Sequence, residues 1–333
     1  MSGRYILDAD LSILKELDIC VVGYGNQGRP QSIVLRDNDL NVIVGNIRDE
    51  AWERASRDGF EVYEIGEACR RSDLILLLIP DEVAPKVFRD EVAPNVRGRE
   101  HVIIDFASGY NIFYGFIRPL ENMDVILVAP RMIGDGILRL HREGRGYPVL
   151  IGVDRDVSGR AWEYAAALAR GIGAIGRPGG IGLRSSFREE VLIDLMSEHT
   201  WMPLLIASFL AYFDVLVDEF NVSPEAVILE LYASGELGET GRAMAELGLF
   251  EQLRLHSRTS QYGQLTRIFR FYGERLKKIF RREAMEIIDG SFARDWMLEQ
   301  ELGLPRFSRL LDMVKGSRMA KHEDELYRAM GRR

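Results

Sequence analysis

The sequence predicts an α/β fold in two parts: an N-terminal Rossmann-type, doubly wound parallel sheet and a C-terminal all-helical domain. Three observations carry this. The apolar run Ile19-Cys20-Val21-Val22 breaks into Gly23-Tyr24-Gly25-Asn26-Gln27-Gly28, the G-x-G-x-x-G spacing of a strand, a tight turn and a helix start. Strand-like and helix-like segments then alternate to about residue 176, as βαβ units do. Beyond residue 187 strand patterns vanish and long amphipathic stretches take over. The turn-rich segment Gly176-Arg177-Pro178-Gly179-Gly180-Ile181-Gly182 separates the parts. It sets the expected domains at 1–182, binding a dinucleotide, and 183–333, helical.

Residues 1–18 read as a leader ending in a short helix. After the glycine turn, Asn41-Val42-Ile43-Val44-Gly45 closes the first unit as a second strand. Asp73-Leu74-Ile75-Leu76-Leu77-Leu78-Ile79-Pro80 is apolar throughout, as a strand covered on both faces should be. Residues 83–91 read as helix, and His101–Phe106, Asp124–Pro130 and Pro148–Val153 as further strands. Ser158–Gly171 reads as a helix capped by Ser158. The helical half divides into 187–220, 223–235, 239–250, 258–289 and 291–301, with Pro224 where a missing N–H costs nothing.

Each glycine of the turn has a separate task. Gly23 permits the turn, Gly25 lets the backbone approach a pyrophosphate, and Gly28 lets the helix pack on the strand. Tyr24, Asn26 and Gln27 complete the loop, and the helix N-terminus offers N–H groups and a positive dipole end to phosphates. In doubly wound sheets ligands lie beyond the carboxyl ends of the strands. Pro80-Asp81-Glu82, Ala107-Ser108-Gly109 and Pro130-Arg131-Met132 therefore point toward one crevice. At the ribose end Asp49 suits a 2′-hydroxyl and NAD, whereas Arg48 suits a 2′-phosphate and NADP.

Bulk composition narrows the class. The 333 residues are 47% hydrophobic and 28% charged with net charge −8, ordinary for a globular protein of two domains. No basic patch marks a nucleic-acid partner. No apolar run reaches a membrane span and no signal-peptide core is present, so the cytoplasm is expected. Cys20 and Cys69 form neither a metal spacing nor a disulfide framework, and the five histidines form no local metal motif.

Carboxylates supply the remaining chemistry. Asp194 and Glu198 are four apart and share a helix face among Leu192, Ile193, Leu195 and Met196, so the segment is expected to be largely buried. Glu230 stands in the apolar run Val227-Ile228-Leu229-Glu230-Leu231-Tyr232, where a charge needs a partner. Such a set suits Mg²⁺, which takes oxygen ligands and keeps waters. Salt bridges to the many arginines are the equal alternative.

With these residues laid out, the chain resembles ketol-acid reductoisomerase, also called acetohydroxyacid isomeroreductase, in its short form. The likeness runs through Gly23–Gly28, Pro80-Asp81-Glu82, Phe106–Ile112, Val128-Ala129-Pro130-Arg131, Gly144–Pro148, Phe187–Glu198, Pro224–Glu230, Ser257 with Gln261-Tyr262-Gly263, and Phe292–Met297. The resemblance implies rearrangement of an acetohydroxy acid on two Mg²⁺ ions, followed by hydride delivery from NADPH. It places metal carboxylates on Asp194, Glu198 and Glu230 and a substrate-contacting serine on Ser257. It also implies a homodimer with entwined helical domains, Glu230 serving the partner's site.

Three positions depart from the family. Its fourth metal carboxylate falls on Ser234, its strand-end histidine on Ser108, and its lysine after Val-Ala-Pro on Arg131. Arg131 cannot release a proton, and Ser108 cannot shuttle one near neutral pH. With one carboxylate fewer, a single Mg²⁺ is expected rather than two. The first expectation is therefore an NAD(P)H-dependent reductase of a small 2-oxo acid or imine, with the isomerase half weakened. Arg131, Asp194, Glu198, Ser257 and Ser108 would be its catalytic groups, and NADP is favoured by resemblance over NAD. The alternatives are a complete Mg²⁺-dependent reductoisomerase and a non-catalytic dinucleotide-binding dimer.

Overall fold

The computed structural model describes residues 3–333. The chain forms two compact units, one up to Ile193 and the other Asp194–Arg333. This division lies beyond the 182/183 boundary read from the glycine-rich segment, whose last two residues open the strand Ile181–Arg184.

The first unit is built on a nine-stranded sheet in the order β1-β9-β8-β7-β6-β5-β2-β3-β4. The strands are β1 (Tyr5–Ile6), β2 (Ile19–Val22), β3 (Val42–Gly45), β4 (Val62–Tyr63), β5 (Leu74–Leu77), β6 (Val102–Phe106), β7 (Met123–Pro130), β8 (Pro148–Arg155) and β9 (Ile181–Arg184). From β4 to β7 every pairing is parallel, and the strand order reverses beside β2, which pairs with both β3 and β5. The mostly parallel expectation holds, with antiparallel pairs at β7–β8 and β1–β9. At β7 the connection leaves and re-enters on the same edge, so Pro130 faces Val149.

Both faces of the sheet are covered. Ile19, Val21, Leu74, Leu76 and Ile103 enter one core. Their neighbours Cys20, Val22, Ile75, Leu77 and Ile104 enter the other. That is why these strands read as unbroken apolar runs rather than alternating ones. β1, β4 and β9 were not expected; β1 and β4, of two residues each, are too short to show a pattern. β9 occupies the stretch read as a linker. A Cβ on Gly182 would stand 2.7 Å from Ile151 and 3.0 Å from the Ile6 carbonyl, so close strand approach, not a turn, requires that glycine.

Ser158 does not cap its helix, which runs Ala161–Gly171. Its hydroxyl donates to Asp124 (2.6 Å), a fully buried carboxylate that also accepts from the Val157 N–H (2.6 Å) and contacts His101. The same hydroxyl accepts the Arg160 N–H (3.0 Å) just ahead of the helix, and Asp156 accepts the Ala161 N–H (3.1 Å), the first of the helix.

Asp105, on β6, is fully buried. One carboxyl oxygen accepts the Val128 N–H at 2.9 Å and the other has no hydrogen-bond partner. Burial holds its pKa well above the ordinary carboxylate value. A pKa raised by folding means that the native state binds the proton more tightly. Its stabilisation is complete below the unfolded value, about 4, and is lost as pH rises toward the native value. Asp105→Asn, isosteric with the neutral carboxyl, should remove this slope. Denaturant melts at several pH values should show wild type losing stability relative to the variant by up to about 1.4 kcal/mol per pH unit above pH 4.

The second unit contains no strand among its residues. A continuous helical path runs Phe187–Glu219, beginning in the first unit and interrupted only by π turns at Ser197–Trp201 and Val215–Glu219. It is long and apolar enough over part of its length to cross a membrane, which corrects the expectation that no such segment exists. Glu198 and His199 interrupt the apolar run but not the helix. Helices follow at Pro224–Ile228, Glu236–Leu247, Arg258–Phe271, Glu274–Ile288, Ser291–Glu301, Pro305–Lys315 and Arg318–Ala329. The expected helix 258–289 is broken at Tyr272-Gly273, where both residues are extended. The last two helices escaped the sequence reading, although Pro305 in a first turn and the Ser317 hydroxyl accepting from the Ala320 N–H mark their starts.

Candidate active site

The glycine turn is built as its sequence requires. Gly23 has φ +93°, and a Cβ there would lie 2.7 Å from the Leu78 carbonyl. A Cβ on Gly28 would lie 1.9 Å from the Gly23 carbonyl, so the start of the helix Gly28–Asp37 packs directly on the turn. Gly25 is exposed, and nothing stands within 4 Å of where its Cβ would be. That opening is where a diphosphate can meet the backbone, so the turn fits a dinucleotide. Gln27 reaches back from the loop to donate to the Met132 carbonyl (3.0 Å).

Tyr24 turns its side chain away from the loop. Its side chain is 1% exposed, lies edge-on to Phe60 and donates to Asp58 (2.8 Å), so only its backbone can face a cofactor. An i+1 residue after the first strand glycine points into the layer beneath the sheet. Burial, then the Asp58 hydrogen bond and charge, raises its pKa and keeps the hydroxyl protonated.

These glycines dictate a paired test. Gly28→Ala should destabilise the fold by about 3 kcal/mol, because backbone rather than a flexible tip blocks the new methyl. Gly25→Ala should melt like wild type yet bind nicotinamide cofactor about tenfold more weakly, about 1.4 kcal/mol. Thermal melts and fluorescence titration separate the two.

At the ribose end Asp49 caps the helix Glu50–Arg57. Its Oδ1 accepts from the Ala51 and Trp52 N–H groups (2.9 and 3.1 Å) and from Asn46 (2.8 Å). Arg48 lies over the Trp52 ring (4.9 Å) and 3.5 Å from Glu64. A groove of about 360 Å³ opens beside them, lined by Asn46, Ile47, Arg48, Ile65 and Val87 among others.

Beyond the ends of β5, β6 and β7 stand Pro80, Asp81, Ser108 and Arg131. Ser108 donates to Asp81 (3.2 Å), and Asn111 donates to the Asp81 side chain (3.0 Å) and carbonyl (3.1 Å). Arg131 Nη2 donates to Glu190 Oε1 at 2.6 Å, and Glu190 Oε2 accepts the Gly109 N–H at 2.8 Å. Glu190 is 2% exposed and ties the ends of β6 and β7 to the helix Phe187–Met196. Sequence reasoning missed it. Its signal was the spacing: it lies four residues before Asp194, on the same helix face.

In the second unit Asp194 and Glu198 lie one turn apart. Partial burial, then the charge of Asp194, raises the pKa of Glu198. Two carboxylates that repel each other in this way fit a divalent cation, which relieves both causes at once. Glu198 belongs to the π turn Ser197–Trp201 and Glu230 to another, Leu229–Ala233. Such turns re-aim side chains and are frequent at functional sites. Glu230 is exposed, contrary to the expectation from its apolar run, because the helix turns Val227 and Ile228 inward and Glu230 outward. The segment around Asp194 is likewise only partly buried, with Val191 and Leu195 inward and Ile193 46% exposed. Ser234 and Ser257 are exposed on separate segments, Ser257 capping the helix Arg258–Phe271 through the Ser260 N–H (3.2 Å). Next to Glu198, His199 packs its ring 4.3 Å from Phe292, and burial lowers its pKa.

A doubly wound sheet with an open glycine turn, joined in one chain to a helical unit bearing paired carboxylates, defines an NAD(P)H-dependent oxidoreductase. The comparisons narrow this class. Residues 13–179 match the family model of the acetohydroxy acid isomeroreductase NADPH-binding domain, and residues 187–332 that of the ketol-acid reductoisomerase C-terminal domain. The chain is 54% identical over 330 residues to a putative ketol-acid reductoisomerase 3 of Saccharolobus solfataricus, covering 99% of this chain and 98% of that one. It is 39% identical over 324 residues to the ketol-acid reductoisomerase (NADP(+)) of Pyrobaculum aerophilum, covering 96% and 95%. Its fold matches the solved structure of an NADH-preferring ketol-acid reductoisomerase from an uncultured archaeon, with TM-score 0.89, 28% identity and 98% of both chains covered. The chain belongs to the ketol-acid reductoisomerase family.

Proposed function

We propose that the protein is a complete Mg²⁺-dependent ketol-acid reductoisomerase, acting as a cytoplasmic homodimer. The observation that carries this is the Asp194–Glu198 pair, a mutually repelling pair of carboxylates in a chain that also has an open dinucleotide turn. Asp194, Glu198 and Glu230 would hold Mg²⁺, and the turn Gly23–Gly28 would hold the cofactor's diphosphate. When bound, the nicotinamide supplies hydride and the metal polarises the substrate's keto and hydroxyl oxygens. The chain's own contribution in the first unit is Arg131, a permanent cation oriented by Glu190 at the end of β7 and suited to a substrate carboxylate. Ser257 would contact substrate. A homodimer accounts for the apolar side chains that a single copy leaves exposed on one helical path, among them Trp201, Leu204, Ile206 and Tyr212.

A second reading has its own support. Arg131 is fixed to a buried carboxylate and Ser108 is bonded to Asp81, so neither offers the mobile ammonium or the imidazole of the wider family. Under that reading the protein reduces a 2-oxo acid without rearranging it. The deciding experiment supplies NADPH or NADH with Mg²⁺ and either 2-acetolactate or its rearranged 2-oxo acid, 3-hydroxy-3-methyl-2-oxobutanoate. Formation of 2,3-dihydroxyisovalerate from both supports the complete enzyme. Turnover of the rearranged acid alone supports the reductase, and turnover of neither sinks both.

Cofactor preference should respond to the Asp49 charge, which disfavours a 2′-phosphate. Asp49→Ser keeps a capping oxygen for the helix while removing that charge. The variant should raise kcat/KM with NADPH relative to NADH by about tenfold, about 1.4 kcal/mol.

A further inference from the structure

The second unit carries a cluster that the proposed chemistry does not use. His322 and Glu325 lie one turn apart on the helix Arg318–Ala329, and Glu225 lies in the first turn of the helix Pro224–Ile228. His322 Nδ1 is 3.6 Å from Glu225 Oε1 and 3.9 Å from Glu325 Oε2, and the three donor atoms all lie within 4.8 Å of one another. Nδ1 is itself buried and makes no hydrogen bond. Its ring is packed toward Phe213, at 6.2 Å between centroids, so the nitrogen stays on this side.

We propose that Glu225, His322 and Glu325 form a divalent-cation site for ions of the Zn²⁺ class, separate from the Asp194–Glu198 pair. One imidazole nitrogen and two carboxylate oxygens are a borderline donor set, which favours Zn²⁺ or Co²⁺ over Mg²⁺. Donors about 2.1 Å from a tetrahedral ion stand about 3.4 Å apart, close to the spacings here. Those spacings are too long for hydrogen bonds, so the nitrogen is brought to the carboxylates without being satisfied by them. Glu325 is 70% exposed and can adjust at little expense, and the open side leaves room for water as the fourth ligand. The ion would clamp the C-terminal helix to the helix that leads into Glu230, bracing that carboxylate's segment.

The test uses the full-length protein, stripped of metal and held in excess Mg²⁺ to occupy carboxylate-only sites. Zn²⁺ is titrated by equilibrium dialysis, with thermal melts alongside. Wild type and Asp194→Asn should bind one Zn²⁺ more than His322→Ala, and Zn²⁺ should raise their melting temperature by several degrees. Glu325→Gln, at an exposed position that does not threaten folding, should weaken this Zn²⁺ at least tenfold. Co²⁺-loaded wild type should show one imidazole nitrogen in X-ray absorption, absent in His322→Ala. Equal stoichiometry and equal melting shifts in wild type, His322→Ala and Glu325→Gln would overturn the proposal, as would failure of wild type to bind Zn²⁺.

Discussion

Asp194→Asn should weaken Mg²⁺ by at least about 100-fold and abolish acetolactate turnover, while NADPH affinity stays within about twofold of wild type. Even a partner that merely orients a metal ligand costs 10–100-fold when lost, so a ligand itself should exceed that. The cofactor should be spared because its turn lies in the first unit, on elements that do not include Asp194. The variant also removes the charge that helps raise the pKa of Glu198. In wild type, Mg²⁺ affinity should fall as pH drops through that raised value, since the proton and the cation compete for one carboxylate. In the variant this fall should begin at lower pH. Calorimetric Mg²⁺ titrations and NADPH fluorescence at several pH values provide the check. Equal loss of metal and cofactor affinity would contradict the division of labour between the units.

Glu190→Ala should lower stability by about 3 kcal/mol, the usual effect of leaving one member of a buried pair without the other. Two groups lose the Glu190 carboxylate at once: the Arg131 guanidinium and the Gly109 N–H. For a unit of this size the loss corresponds to a fall in melting temperature of roughly 6–12 °C. Replacing both charges, as in Glu190→Ala with Arg131→Met, should recover part of it, because the guanidinium that Glu190 compensated is then removed as well. Activity should fall in the single variant as well, since Glu190 positions Arg131 at the end of β7. A Glu190→Ala protein that melts within 2 °C of wild type would show the pair to be incidental.

Much of the architecture was legible because it is dictated locally. The glycine turn is a matter of backbone conformation and atomic clearance, both decided within a few residues. The runs at 74–79 and 102–104 are apolar because each strand meets a core on either side. The carboxylates at 194 and 198 follow from helical spacing alone. Misreadings arose where a distant group competed with a local rule. Gly182 answers to β1 and β8 rather than to a turn.

By itself the sequence determined the two-part α/β and helical plan, the dinucleotide turn and the family. Each of these depends on short spacings or on many separated matches in order. Only the tertiary structure decided which side of an element faces inward: Tyr24 into the core, Glu230 to the surface, Val227 and Ile228 beneath it. It alone joined Arg131 to Glu190 across 59 positions, and His322 to Glu225 across the helical unit. Burial and charge pairing are properties of what folds against a residue, and that neighbour is seldom adjacent in the chain.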